Sequence, residues 1–199
     1  MRRRAGSRPG PLLSRGLATT TALVLGACAS VGPPSSSAVK FPPLQDAFEV
    51  SGRLSARHGS DALAANFQWR HVGERDELEL ASPLGQTIAI LSGDGSSARL
   101  RASDGRVLSA ASWTRLTQEG LGWPLPVDGL KYWIQGAARA GADFRAEADA
   151  DGRLSVLGQD GWTIVYQAYV KTPEGVWRPS RLVANYPEVE LRLAVDRWQ

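Results

Sequence analysis

The residues of this chain whose types could do chemistry are few. It holds one cysteine, Cys28, and two histidines, His58 and His71. His58 stands beside Gly59 and reads as a turn residue, while His71 precedes "VGERDE" and reads as a loop position. With Cys28 consumed by the amino-terminal chemistry considered next, neither histidine has a thiol for a Cys–His nucleophile or a Cys/His zinc site. There is no G-x-S-x-G, no P-loop and no G-x-G-x-x-G. Serines abound, but nothing points to a Ser–His–Asp triad. The stretch "EADADG", Glu147 to Gly152, imitates the start of a calcium loop. Its first position is Glu, the position for the bidentate carboxylate is Gly158, and its flanks look like strands, so it reads as an acidic hairpin turn. No metal and no cofactor are expected.

Cys28 belongs to the start of the chain. "MRRR" with Arg8 and Arg15 is a basic leader, and "GLATTTALVLGA" is a short apolar run, together a secretory signal over residues 1–27. The run is about a dozen residues, below the ~20 that span a bilayer. Leu25-Gly26-Ala27-Cys28 resembles the bacterial lipobox, which implies diacylation of Cys28, cleavage before it and acylation of the new amino terminus. Lipidation also accounts for an odd cysteine in an exported chain. By the sorting rule of such lipoproteins, Ala29 rather than Asp implies export to the outer membrane.

This processing changes the charge. The whole chain carries +3, but residues 1–27 hold five arginines and no acids. The remainder has 18 Lys+Arg against 20 Asp+Glu, a net of −2, which gives no support for nucleic-acid binding. Residues 28–45 read as the lipidated cysteine and a flexible tether rich in Pro, Ser and small residues, with a reach of roughly 50 Å if stretched. Residues 46–199 are left to form one domain, stabilised by a core rather than by disulfides.

The elements of that domain are mostly strands. Phe48, Val50, Gly52, Leu54 and Ala56 alternate with polar residues, as do Leu63, Ala65, Phe67 and Trp69, then Leu78 and Leu80. Such a period of two marks half-buried antiparallel strands. Carried across the "SPLG" turn, the same alternation puts Ile88 and Ile90 on the inward face. Asp-Gly pairs at 104, 151 and 160 supply hairpin turns. The middle changes period. "AASWTRLTQEGLG" and "PVDGLKYWIQG" predict two short helices, the second with Asp128 as N-cap and Gly136 as stop. The expectation is a mainly β, α+β domain: a curved antiparallel half-barrel of about eleven strands, with short helices inserted after the sixth strand and packed on the concave face.

Seven tryptophans are many for this length. Trp69, Trp133, Trp162 and Trp198 occupy periodic positions that suit a core, and some of these rings could instead line a cavity for an apolar ligand. One turn is also unusual. In "ASPLGQTIAI", Ala81 to Ile90, an apolar Leu84 stands where turns are normally polar.

Taken together, "FEVSGRLSAR", "AANFQW", "LELASPLGQTIAIL", "LGWPLPVDGLKYWIQG", "GQDGWTIVYQAY" and "LRLAVDRW", with the lipobox at Cys28, resemble the LolB family. The resemblance covers most of the mature chain. It implies a half-barrel with a helical lid over a hydrophobic cavity and no enzymatic activity. It further implies a monomer, anchored by lipid to the outer membrane and facing the periplasm. Such a receptor accepts the acyl chains of cargo lipoproteins from the carrier LolA and places them in the inner leaflet. Carried over by motif, Leu84 is the residue that projects from the body to aid membrane insertion and cargo release. Phe67, Trp69, Leu80, Ile88 and Ile90, with Trp133 and Ile134 from the lid, are the expected cavity wall. Two rivals remain open: a lipid-anchored binding module for another hydrophobic ligand, and a structural lipoprotein whose core would be filled.

Overall fold

A computed structural model of the chain describes residues 38–199. The signal peptide, Cys28 and the first part of the tether lie outside the described residues.

Six strands come first: β1 (Ala47–His58), β2 (Asp61–Val72), β3 (Arg75–Ala81), β4 (Thr87–Gly93), β5 (Ala98–Ala102) and β6 (Val107–Ala110). Two helices follow, α1 (Trp113–Leu121) and α2 (Val127–Trp133). Five strands complete the chain: β7 (Phe144–Ala148), β8 (Leu154–Gln159), β9 (Trp162–Lys171), β10 (Trp177–Tyr186) and β11 (Val189–Trp198). All eleven form one antiparallel sheet, in the order β6-β5-β4-β3-β2-β1-β11-β10-β9-β8-β7. The half-barrel read from the sequence is the architecture observed.

This order explains why the helices lie where they do. The chain steps outward from central β1 to the edge strand β6 by successive hairpins. It must next reach the opposite edge, β7, and it does so through α1 and α2. Trp113 and Leu116 of α1 and Leu130 and Trp133 of α2 share one buried cluster with Phe67 and Leu80 from one half of the sheet. Ile164 and Leu182 from the other half belong to the same cluster. The crossover thus covers the apolar face of both halves.

The first and last strands form the seam. Leu54 stands opposite Leu193 and Ala56 opposite Leu191. The seam is tight at Gly52, where a Cβ would lie 2.0 Å from the Ala194 carbonyl oxygen. Only glycine lets the two backbones come this close.

Four local expectations change. Ile90 stands opposite Glu79 and Arg101, while its neighbours Ala89 and Leu91 are buried opposite Leu80 and Leu78. Paired residues share a face, so Ile90 lies on the outer surface and not inside. The cause is a register shift between Leu80 and Ala81 that leaves Ile88 unpaired and half-buried; the extra residue reverses the alternation counted through the turn. His71 is not in a loop: it is a buried residue of β2. Asp128 is not an N-cap but sits in the first turn of α2, whose cap is Pro126 with no side-chain hydrogen bond.

The fourth change concerns the tether. Its last residues are held on the body. Lys40 N–H donates to the Gly152 carbonyl (2.8 Å), and the Arg178 guanidinium donates to the Pro43 carbonyl (2.8 Å). Gln45 N–H donates to Gln135 Oε1 (2.8 Å). Residues 40–45 form a strap across the body rather than a free linker.

Candidate functional site

The residues under the lid are apolar and close-packed. The floor is set by alternation in four strands: Leu54 of β1, Phe67 and Trp69 of β2, Leu78 of β3, and Leu191 and Leu193 of β11. The roof is Leu125, Val127 and Leu130, contributed by the stretch that leads into α2 and by α2 itself. Between them is a cavity of about 20 Å3 with a wholly apolar lining. Binding sites for small molecules run to about 300–1,000 Å3, so here the helices pack almost directly on the sheet.

Polar groups around the cavity fix its walls. The Trp69 indole N–H donates to Asp76 Oδ1 (2.8 Å), and His71 Nδ1 lies 2.8 Å from the same oxygen. Both side chains of the His71–Asp76 pair are buried. Trp69 is therefore held at a set angle in the floor. In the lid, the Trp133 indole N–H donates to Gln159 Oε1 (2.9 Å), and the Tyr166 hydroxyl donates to the Trp133 carbonyl (3.0 Å). Burial pushes the Tyr166 hydroxyl well above its ordinary pKa, so it stays a donor. Gln159 also accepts from Arg139 N–H (2.8 Å), which ties β8 to the segment after the lid.

The lid is fastened at its far end by the strap. Gln135 accepts from Gln45 and donates to the Lys131 carbonyl (2.9 Å). Arg178, 1% exposed, donates to the carbonyls of Gln135 (3.1 Å) and Pro43. Desolvation holds the Arg178 pKa below its usual value, with Glu174 acting in the other direction. Its charge is met by two carbonyls and by the Trp198 ring, 5.7 Å away.

The residues nominated for the cavity wall take different places. Phe67 and Trp69 line the cavity floor. Leu80, Trp133 and Ile134 are buried in the surrounding cluster without bordering the cavity. Ile88 is partly buried against that cluster, and Ile90 faces outward. Alternation alone does not assign the roof residues or the four floor leucines to a cavity. Leu54, Leu191 and Leu193 do show period-two alternation, but their meeting depends on the pairing of the first and last strands. The acidic "EADADG" stretch is the β7–β8 turn: Asp149 Oδ1 accepts from the backbones of Asp151 and Arg153, and Asp149 Oδ2 pairs with the Arg153 side chain.

Leu84 lies apart from this core. The Ser82 carbonyl accepts from Gly85 N–H (2.8 Å), closing a turn with Pro83 and Leu84 at its centre. Gly85, at φ +85°, then redirects the chain into β4. Leu84 is 90% exposed, against 51% for Val72, the next most exposed large apolar residue described. Among the described residues no helix is long and apolar enough to cross a membrane.

A family model described as "Outer membrane lipoprotein LolB" matches residues 46–198. A protein of Thiobacillus denitrificans named outer-membrane lipoprotein LolB is 36% identical over 178 residues, covering 89% of this chain and 93% of the relative. One of the same name from Cupriavidus taiwanensis is 40% identical over 157 residues, covering 76% and 75%. Among solved structures, a LolA-superfamily protein of Nitrosomonas europaea shares the fold at a TM-score of 0.50 and 10% identity, covering 80% of this chain and 88% of that one.

Proposed function

The chain belongs to the LolB family of outer-membrane lipoproteins, and on that premise we propose that it takes acylated lipoproteins from the periplasmic carrier LolA and places them in the inner leaflet of the outer membrane. Lipidation of Cys28 anchors it there, facing the periplasm. It acts by binding, without covalent chemistry of its own.

The observation that carries the reading is the composition of the interface between lid and sheet. Leu125, Val127 and Leu130 meet six apolar floor residues across a cavity without a polar lining. Acyl chains can replace those lid side chains like for like. Uncovering three such side chains costs roughly 5–9 kcal/mol at ~1.5–3 kcal/mol each. A cargo with about three acyl chains gains tens of kcal/mol at ~0.8 kcal/mol per buried CH₂. The carrier already shields those chains from water, so cargo opens the lid only where the receptor site exceeds the carrier's affinity by more than this cost, and an empty site closes on itself. Release needs only an apolar phase that binds the chains more strongly, which the bilayer provides. A relay from carrier to receptor to bilayer runs downhill and needs no nucleotide.

Leu84 serves the last step. Burying one leucine is worth ~1.5–3 kcal/mol, too little to add much to a lipid anchor. Its role is to enter the leaflet and orient the domain for release.

A second reading, a structural lipoprotein without a ligand, is favoured by the cavity of only about 20 Å3. Incubating the delipidated protein with a LolA–lipoprotein complex separates the two. Transfer of cargo onto the receptor, and from it to liposomes, is expected. Cargo that stays wholly on the carrier would exclude the receptor reading.

A further inference from the structure

The lid has a second face. Outside the apolar cavity lies an open cleft of about 570 Å3, within the size range of ligand sites. Leu125, Val127 and Leu130 roof the inner cavity, while the interleaved Pro124, Pro126, Asp128 and Gly129 line the outer cleft. One stretch of seven residues is thus the partition between an apolar interior and a mixed exterior groove. On the receptor reading, displacement of that stretch by acyl chains would join the two spaces.

The far wall of the cleft is aromatic. Trp162 and Tyr186 stack with ring centroids 5.0 Å apart. Tyr132 of α2 adds a third ring. The charged residues lining the cleft cancel: Asp128 and Asp160 against Lys131 and Arg139, with Arg139 and Asp160 paired at 2.8 Å. A groove of rings and prolines with no net charge suits an extended, uncharged polypeptide. Such grooves hold chain in the polyproline conformation, already extended and cheap to order.

We propose that this cleft binds the neutral, extended polypeptide that follows the acylated cysteine of a cargo lipoprotein, while the acyl chains lie beneath the lid. The inference rests on the receptor reading above. A lipoprotein must leave the apolar interior at its cysteine, and its first residues then lie against whatever borders the exit. The chain's own "ASVGPPSSS", residues 29–37, has the expected ligand chemistry: small, proline-containing and uncharged. The cleft makes the receptor sensitive to the peptide as well as to the lipid. Charged residues placed just after the cysteine would be poorly held.

The test uses the full chain and three probes: labelled palmitate, a synthetic triacylated cysteine amide, and the same triacylated cysteine extended by ten Ser, Gly and Pro residues. The extended probe is expected to bind about tenfold more tightly than the amide. Tyr186→Ala and, separately, Tyr186→Ser should each remove most of that difference while leaving palmitate and the amide unchanged. Equal affinity for the amide and the extended probe in the unaltered protein would overturn the proposal and leave the receptor reading standing. So would variants that weaken all three probes alike. Failure of every acylated probe to bind would instead sink the receptor reading, and this inference with it.

Discussion

Gln45 and Gln135 hold each other across the chain: Gln45 N–H donates to Gln135 Oε1 at 2.8 Å, and Gln135 Nε2 donates back to the Gln45 carbonyl at 3.4 Å. One residue belongs to the strap, the other to the end of the lid. The first bond is short and the second long, so most of the fastening lies in the first. A bond of this kind contributes about 0.5–1.5 kcal/mol net. Gln135→Leu is therefore expected to raise amide hydrogen exchange at Ile134 and Gly136 by roughly three- to tenfold, since 1.4 kcal/mol is a factor of ten. Exchange in the central strands should not change. Hydrogen-exchange mass spectrometry reads both regions at once, and equal acceleration everywhere would mean that the fastening is not local to the lid.

Leu84→Glu tests the exposed turn. The side chain makes no part of the buried cluster, so folding stability should move by less than ~0.5 kcal/mol. Acceptance of cargo from the carrier should also be unaltered. Delivery from receptor to liposomes should fall several-fold, because a carboxylate at the tip opposes entry into the leaflet. Delivery at the normal rate, measured with the same liposomes, would remove the assigned role.

Much of this fold is legible in the sequence because its information is local. Asp-Gly turns divide the strands, and the change from a period of two to helical spacing marks the crossover. Phe67 and Trp69 stand out because alternation within a single strand places them. Ile90 fails for the opposite reason. Counting across the turn gives it the wrong face, because a single extra residue at Ile88 reverses the count. The floor leucines of β11 become neighbours of β1 only through the seam, a long-range pairing that period alone does not encode. Gln135 carries no signal at all, since its importance comes from a strap ninety residues away in sequence.

Asp128 gives a pH test. Desolvation raises its carboxyl pKa, outweighing the nearby Lys131. A raised native pKa means that the folded state favours the protonated form. The associated stability is present at acid pH and is lost as pH rises through the native pKa. Asp128 is exposed, so solvent screens much of this effect; its ionisation lowers folding stability slightly at neutral pH, and Asp128→Asn should relieve it. The variant should melt higher than the parent at pH 7, with the gain shrinking towards zero below about pH 4, near the ordinary carboxylate value. Thermal unfolding at both pH values measures this; a gain that is the same at both would show that charge is not its source.

The seam between the two halves of the sheet predicts the largest stability change. At Gly52 an added Cβ would meet the Ala194 carbonyl oxygen at 2.0 Å, with Ala194 C and Val195 Cα both at 3.0 Å. All three are backbone atoms of the partner strand, so no side-chain rotation can relieve the clash. The strands must separate just where a register shift already lies, between Ser51 and Gly52. Gly52→Ala is expected to cost about 2–4 kcal/mol, at the upper end of ordinary substitutions. At ~2–4 °C per kcal/mol for a domain of this size, the melting temperature should fall by roughly 5–15 °C. Gly95 provides the contrast. A Cβ there meets nothing within 4 Å, and Gly95→Ala should stay within ~0.5 kcal/mol of the parent. Comparable losses at both positions, by thermal or urea unfolding, would show that general glycine effects and not close approach at the seam govern these sites.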